Sequence, residues 1–212
     1  MLHYETVTPY LKQVLVSLMT DPVFNDFRLV GGTSLSLRLG HRMSIDIDLF
    51  SDAEYGTLDF HAIQAHLRNM FPYCAGDCGE NAAMGTSYIV GTNRSEAIKL
   101  DLFYTDRFIA DMEREDGIRM ASIEDIIAMK LDVIARGGRK KDFWDIHELL
   151  QHYSVNQMIE LYECRYPYGH SAEEVRQGFI NFQHADYEPD PNCLKGKDWG
   201  SIKRYISYIC NV

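Results

Sequence analysis

Apolar and polar positions along this chain follow two different periods, and the change between them divides the chain into two parts. Before about residue 121 the pattern mixes helical spacing with strand-like alternation, and after it only helical spacing remains. Helices are predicted over residues 5–20, 33–39, 58–71, 123–135, 141–151, 155–165, 172–182 and 202–209. Strands are predicted over residues 27–30, 44–50, 86–90, 97–104 and 118–120.

These elements predict an α/β (α+β) fold in which a mixed sheet with its helices is followed by a helical C-terminal part. The strand pattern stops near Ala121, and Ser122 is placed to cap the next helix together with Asp125 three residues later. We therefore expect residues 1–121 to form the α/β core and residues 122–212 to form a helical region that completes a cleft. A chain of 212 residues is long enough to bury a substantial core in this way.

The composition is that of an ordinary globular protein, with 46% hydrophobic and 25% charged residues. No apolar run approaches the ~20 residues needed to cross a membrane. The first residues lack the basic start and the cleavage site of a signal peptide. We therefore expect a cytoplasmic protein without a membrane partner. The five cysteines are odd in number, which argues against a disulfide framework.

The first motif with a candidate chemical role is a glycine pair followed by two hydroxyl residues at the start of the second predicted helix. Gly31 and Gly32 let an anion approach bare backbone, and the helix N-terminus adds N–H donors and a partial positive charge. Thr33 and Ser34 carry hydroxyls that can bind the same anion. These four residues favour a phosphate site, and the alternative is a simple turn followed by a helix cap.

Two aspartates follow on the predicted strand 44–50. Residues two apart on a strand share a face, so Asp46 and Asp48 project together, while Ile45, Ile47 and Leu49 face the core. Paired carboxylates repel each other unless a cation lies between them, and Mg²⁺ binds carboxylates together with substrate phosphates. The pair therefore predicts a divalent metal site, and the alternative is a solvent-exposed strand face.

A third aspartate lies on another predicted strand, where Asp101 and Lys99 share one face and the apolar residues share the other. With Asp46 and Asp48, it gives three carboxylates from two strands, a set that can hold two metal ions for phosphoryl transfer. We expect these residues to bind Mg²⁺, or Mn²⁺ in its place. Asp101 would bind the catalytic metal or accept the proton of the nucleophile. The alternative for Asp101 is an exposed strand aspartate.

Taken in order, these motifs resemble the DNA polymerase beta-type nucleotidyltransferase superfamily. The motif Gly31-Gly-Thr-Ser34 is followed after eleven residues by Asp46-Ile-Asp48 and later by Asp101. Residues 123–150 narrow the resemblance, because a helix with one lysine, a basic turn and a following aspartate motif are similar to the AbiEii/AbiGii toxin family. The resemblance implies a polymerase beta-like nucleotidyltransferase core whose cleft is completed by the helical region. It also implies a toxin of a toxin–antitoxin or phage-defence system.

The resemblance also implies roles for individual residues. Ser34 matches the phosphate-binding hydroxyl, Lys130 matches the lysine near the triphosphate, and Asp142 matches the catalytic aspartate of the last motif. Because Asp142 and Asp145 both lie near a predicted helix start, one of them is expected to cap the helix and the other to pair with Lys130 or Arg136. Arg42, in the turn before the aspartate strand, is expected either to meet a phosphate of the nucleotide or to remain solvated.

We therefore expect a magnesium-dependent nucleotidyltransferase that moves an NMP from an NTP to a hydroxyl acceptor. The resemblance implies an RNA or tRNA 3′ end as the acceptor and a cognate antitoxin protein as a partner. At a net charge of −10 the whole surface is no general nucleic-acid binder, but residues 136–141 form a local basic patch. Two alternatives stay open: an NTP-binding sensor or interaction protein without turnover, and transfer to a small molecule.

Overall fold

The computed structural model of this chain describes residues 1–79 and 84–210. The helices, labelled α1 to α8 in chain order, are Pro9–Thr20, Gly31–Leu39, Phe60–Met70, Ile123–Ala135, Lys140–Leu149, Val155–Arg165, Ala172–Gly178 and Trp199–Cys210. The strands, labelled β1 to β7, are Arg28–Leu29, Asp46–Ser51, Tyr73–Ala75, Gly85–Asn93, Glu96–Tyr104, Glu113–Glu115 and Ile118–Met120.

The strands form one mixed sheet in the order β3-β4-β5-β2-β1-β7-β6. Strand β2 pairs with β5 in parallel, and β1 pairs with β7 in parallel. The remaining neighbours are antiparallel. This arrangement confirms the predicted mixed α/β fold class, and it brings the two aspartate-bearing strands side by side in the middle of the sheet.

Several element boundaries differ from the sequence prediction for simple physical reasons. Strands β3 and β6 were missed because three residues at a sheet edge are too few to show a period. Helix α2 begins at Gly31 instead of residue 33, and α7 ends at Gly178 instead of residue 182. Ile45 was expected in the core, but it lies just before β2 with 68% of its surface exposed. Ile47 and Leu49 are fully buried as predicted.

Two apolar cores support the sheet and the C-terminal helices. The first packs residues of α1 and α3 against one face of the sheet, with Leu15, Leu67 and Leu100 at its centre. The second is built from α4 to α8. Val30 and Leu35, at the start and in the middle of α2, belong to this second core. Helix α2 is therefore packed into the C-terminal helices, and this contact determines where the cleft between sheet and helices lies.

Two further features are the state of the cysteines and the length of the apolar helices. All five cysteines are free thiols in this structure. In residues 1–79 and 84–210, no helix is long and apolar enough to cross a membrane.

A buried ion pair holds α6 against α4 and against the segment after β5. Arg165 Nη1 donates to Asp125 Oδ1 at 2.6 Å, and both side chains are fully buried. The same guanidinium donates to Thr105 Oγ1 and to the carbonyl oxygens of Arg107 and Asp106. Because Thr105 lines the cleft described below, this arginine positions one wall of it.

Replacing Arg165 with alanine is expected to destabilise the protein by about 3–5 kcal/mol, because it leaves the Asp125 carboxylate buried without its cation. Urea unfolding at neutral pH measures the loss. Arg176→Ala is the matched control, since the hydrogen bond from Arg176 to Asn156 lies at the surface. That variant should lose less than about 1 kcal/mol. Equal losses in the two variants would contradict the structural role of Arg165.

Candidate active site

Three aspartates and one lysine form a compact group on one face of β2 and β5. The parallel register places Asp48 beside Asp101 and Asp46 beside Lys99. The ammonium group of Lys99 donates to Asp101 Oδ2. The opposite face of both strands is buried in the first apolar core. The predicted carboxylate face is therefore assembled by the pairing of the two strands.

The first glycine of the pair lies against this group. Gly31 has φ +66°, a backbone conformation that favours glycine. A Cβ added at Gly31 would lie 2.5 Å from Asp48 Oδ2. At Gly32 an added Cβ would collide with Arg42 Nη2. The glycine pair thus permits the close approach of a carboxylate and a guanidinium, in addition to leaving the backbone of the first turn of α2 bare.

Asp48 has a perturbed carboxyl group. Its burial, together with the nearby carboxylates of Asp101 and Asp46, raises the pKa of Asp48 to about 6. The fold therefore brings this carboxylate into like-charged surroundings that a cation would relieve. Perturbation of this kind is common at functional sites, where binding requirements compete with stability.

A buried ionic cluster forms the opposite wall. Lys130 Nζ, from α4, lies 2.6 Å from Asp142 Oδ1 and 2.7 Å from Asp145 Oδ2, both on α5. Arg42 donates to both oxygens of Asp145, through Nε at 2.7 Å and Nη2 at 2.8 Å. His41 Nε2 also lies 2.7 Å from Asp145 Oδ1. The cluster joins the turn before β2 to two helices of the C-terminal part.

The pKa shifts in this cluster follow from its pairing. Burial opposes the charged form of Lys130, but Asp142 and Asp145 raise the pKa of its ammonium group above the ordinary value. Burial likewise opposes the charged form of Asp145, but Arg42 and Lys130 hold the pKa of this carboxyl well below its ordinary value. Lys130 therefore stays charged, and with two of its three N–H donors directed to aspartates, one remains for a ligand.

The cleft between these two walls has a volume of about 250 Å³. One side comes from the sheet and the start of α2, and the other from α4, α5 and the basic turn between them. Its lining consists of Val30, Gly31, Gly32, Asp48, Phe50, Thr105, Ile126, Met129, Lys130, Asp132, Val133, Arg136, Arg139, Lys141, Asp142 and Tyr166. The lining combines apolar side chains with a few charged groups, a mixture that is usual in ligand-binding sites.

Three residues that were predicted to contact the nucleotide have other surroundings. Thr33 is buried, and its hydroxyl donates to the Asp46 carbonyl and contacts Ser44 Oγ. Ser34 is fully buried outside the cleft lining, and its Oγ lacks a hydrogen-bond partner within the described ranges. Arg42 is committed to Asp145 and to the Met43 carbonyl. Thr33 and Arg42 thus hold the segment at the start of β2 from within.

Asp142 combines the two roles that the sequence divided between it and Asp145. Its Oδ2 accepts from the backbone N–H of Arg139 at 3.0 Å, which caps α5, while its Oδ1 accepts from Lys130. The side chain is almost completely buried. Both oxygens are therefore engaged, and in this structure Asp142 positions Lys130 instead of projecting as a reacting group.

Two basic residues line the cleft that were not singled out individually from the sequence. Lys141 Nζ lies 3.4 Å from Asp46 Oδ2 and faces the carboxylates from the helical side. Arg139 is the N-cap residue of α5 and leaves 58% of its side chain exposed. The basic run at 136–141 was the available signal, but it indicated a surface patch and gave no indication that the run turns into the cleft.

The carboxylate group offers an incomplete set of ligands for a divalent cation. Asp46 and Asp101 face lysine ammonium groups, and Asp101 Oδ1 is buried without a hydrogen-bond partner among the residues described. In the described parts of the chain, no three His, Cys, Asp or Glu side chains stand as a ready-made metal cage. Mg²⁺ usually takes one or two carboxylates and completes its shell with substrate phosphates and water, so these residues fit such an ion.

Solved structures with this fold include a nucleotidyltransferase toxin. The chain is similar to MenT4, nucleotidyltransferase toxin Rv2826c from Mycobacterium tuberculosis H37Rv, with a TM-score of 0.56 and 12% identity over 95% of this chain and 82% of that chain. It is also similar to JHP933 from Helicobacter pylori, with a TM-score of 0.57 and 14% identity over 95% and 88% of the two chains. These similarities show a nucleotidyltransferase fold.

The particular family follows from the sequence match. A profile described as nucleotidyl transferase AbiEii toxin, type IV TA system, matches residues 13–203. The chain therefore belongs to this nucleotidyltransferase toxin family, which confirms the resemblance. A protein of Aquifex aeolicus strain VF5, aq_aa25, is 30% identical over 147 residues. That match covers 66% of this chain and 65% of the relative, so the chain spans just under two thirds of the relative's length.

The raised pKa of Asp48 predicts a pH-dependent cost to stability. Because the folded-state pKa is about 6 and the ordinary value is 3.8, the cost is fully present above pH 6 and is lost as the pH falls from 6 towards 4. Asp48→Asn removes the charge. With allowance for solvent in the cleft, this variant should be more stable than the parent by about 1–2 kcal/mol at pH 8.

Urea unfolding in chelator at several pH values tests this expectation. The difference between Asp48→Asn and the parent should shrink as the pH is lowered to 4. Glu163→Gln is the control, because Glu163 is exposed on α6. A pH-independent difference, or a gain of the same size in the control, would show that the carboxylate group carries no such cost.

Proposed function

We propose that this protein is a magnesium-dependent nucleotidyltransferase that moves an NMP from an NTP to the 3′ end of an RNA, with tRNA as the expected type. In this proposal the transfer is the toxic activity, and a cognate antitoxin opposes it. The observation that carries the proposal is the grouping of Asp46, Asp48 and Asp101 on the paired strands β2 and β5, with Asp48 lining the same cleft as Lys130. The family match supports the class of reaction.

The donor nucleotide would lie in the cleft between α4 and the sheet. The remaining N–H of Lys130 and the backbone of Gly31 and Gly32 would contact its phosphates. Met129 and Val133 would offer apolar contacts to the base. Asp46, Asp48 and Asp101 would hold a divalent cation, which would neutralise phosphate charge and lower the pKa of the attacking hydroxyl.

Transfer of the NMP requires a group that accepts the proton of the attacking hydroxyl. The acceptor oxygen forms a bond to the α-phosphorus, the bond from that phosphorus to the bridging oxygen breaks, and pyrophosphate leaves. In this proposal Asp101 takes the proton of the hydroxyl, and its buried Oδ1, which lacks a partner among the described residues, supports this role. Lys141, opposite Asp46, would stabilise the charge of the departing pyrophosphate.

The basic edge of the cleft favours an acceptor that carries phosphates. A second cavity of about 350 Å³ adjoins the first and shares Arg139 and Lys141 with it. Its other lining residues include the exposed Ile45 together with Pro189 and Pro191. Glu188 and Asp190 also line it, and both carboxylates accept hydrogen bonds from Lys140. Cationic groups beside apolar surface suit a nucleic-acid end, whose phosphates and bases need both. This surface favours RNA over an uncharged small molecule.

The experiment incubates the protein with each labelled NTP in turn, Mg²⁺ and total RNA. We expect label to enter RNA with one preferred NTP, and we expect the transfer to fall by at least about a thousandfold in an Asp46→Ala/Asp48→Ala variant, because both metal ligands are lost. Gel separation of the RNA measures the product. Asp111→Asn, which removes one exposed carboxylate outside the β2 and β5 strands, serves as the surface-charge control.

The outcomes separate the competing functions. Tight, metal-dependent NTP binding without any transfer would favour a sensor or interaction protein. Label in the small-molecule fraction of an extract, with none in RNA, would favour a small-molecule transferase. Either result would overturn the RNA end as the acceptor.

Arg139→Gln is expected to raise the KM for RNA by about three- to tenfold and to change kcat by less than twofold, since it removes one phosphate contact. The slope of the logarithm of RNA affinity against the logarithm of salt concentration should also fall by about one. Steady-state kinetics at two salt concentrations measure both effects. The control is Arg94→Gln, at the exposed turn between β4 and β5. If the KM for NTP rises instead, Arg139 belongs to the donor side.

A further inference from the structure

Four charged residues lie on one face of β2 and β5, namely three aspartates and Lys99. Asp48 stands beside Asp101 across the paired strands, and Asp46 stands beside Lys99. The ammonium group of Lys99 is bound to Asp101 Oδ2. The Asp101 side chain is 15% exposed, whereas 43% of the Lys99 side chain is exposed. The Lys99 side chain can therefore turn towards solvent, while the carboxylate of Asp101 stays largely buried.

A lysine in this position competes with a metal ion for the same carboxylate. A divalent cation that binds Asp101 must displace the ammonium group or remain beside a like charge, and both cost free energy. Lys141 faces Asp46 from the helical wall in a similar way, although its Nζ stands farther off at 3.4 Å. Lys99 thus makes the closer contact of the two.

The cost of displacing Lys99 depends on what else occupies the cleft. With the cleft empty of ligand, the displaced ammonium group gains only water. A bound NTP brings several negative charges to the same face, and these offer the ammonium group a new partner. The penalty that Lys99 places on metal binding is therefore largest without nucleotide and is offset with nucleotide.

We propose that Lys99 is a positioning residue that makes binding of the divalent cation dependent on NTP, by occupying the third carboxylate until nucleotide arrives. The inference rests on the proposed metal and nucleotide site. It goes beyond that site by assigning an order of loading: the free protein binds the cation weakly, and the cation and NTP bind together. An order of this kind would keep the cation out of the site while no substrate is present.

The test measures Mn²⁺ affinity by electron paramagnetic resonance, with and without a non-hydrolysable NTP analogue. Lys99→Met should lower the Kd for Mn²⁺ about five- to tenfold without nucleotide, where tenfold corresponds to about 1.4 kcal/mol. With the analogue present, the Kd should change by less than about twofold. The readout is metal binding, so it does not depend on turnover or on the identity of the acceptor.

Three further variants make the result specific. Lys99→Arg keeps the charge and should behave like the parent. Lys203→Met removes a lysine bound to Asp186, at a comparable exposure, and should leave Mn²⁺ affinity unchanged. In an Asp101→Asn background, adding Lys99→Met should have little further effect, because the two residues act as a pair. Thermal unfolding of each variant confirms that the fold is retained.

The outcomes test the role of Lys99 separately from the proposed metal and nucleotide site. Tighter Mn²⁺ binding confined to the nucleotide-free Lys99→Met protein supports the inference. An unchanged Kd in Lys99→Met, while the parent binds Mn²⁺ with the analogue, overturns it and leaves the proposed function in place. The same tightening in the Asp101→Asn background also overturns it, because the effect would then be a general change in charge. A parent that binds no Mn²⁺ even with the analogue overturns both.

Discussion

The cleft depends on one buried carboxylate that binds charges from both halves of the chain. Asp145 accepts from Arg42 and His41, which lie in the turn before β2, and from Lys130 on α4. Desolvation of these groups is costly, and the cost is offset only while the partners stay in contact. The cluster therefore ties the sheet to the helices at a fixed distance, and the cleft is the space left between them.

Charge is divided unequally between the two walls of this cleft. The sheet side concentrates carboxylates, and the helical side contributes Lys141 and Arg139 beyond the paired cluster. Burial makes the largest contribution to raising the pKa of Asp48 to about 6, and the neighbouring carboxylates of Asp101 and Asp46 act in the same direction. A strand with only a structural role does not need such a loss of folding free energy. The loss is expected at a site where a cation and phosphates bind.

The glycine pair shows how one motif can satisfy several constraints. Bare backbone at the start of α2 suits a phosphate, as the sequence indicates. The structure adds that Gly31 gives room to Asp48 and that Gly32 gives room to Arg42. The two hydroxyls that follow instead lie inside the protein, where Thr33 holds the start of β2. The motif thus joins the anion site to the carboxylate strand.

The sequence by itself determined the fold class, the strand that carries Asp46 and Asp48, and the lysine of α4, because alternation and motif spacing are local properties of the chain. Only the tertiary structure decided which side chains face one another. The pairing of β2 with β5 brings Lys99 to the carboxylates, and the packing of α5 turns Lys141 towards them. Spacing along the chain cannot show these contacts, since register and burial arise only when distant segments pack.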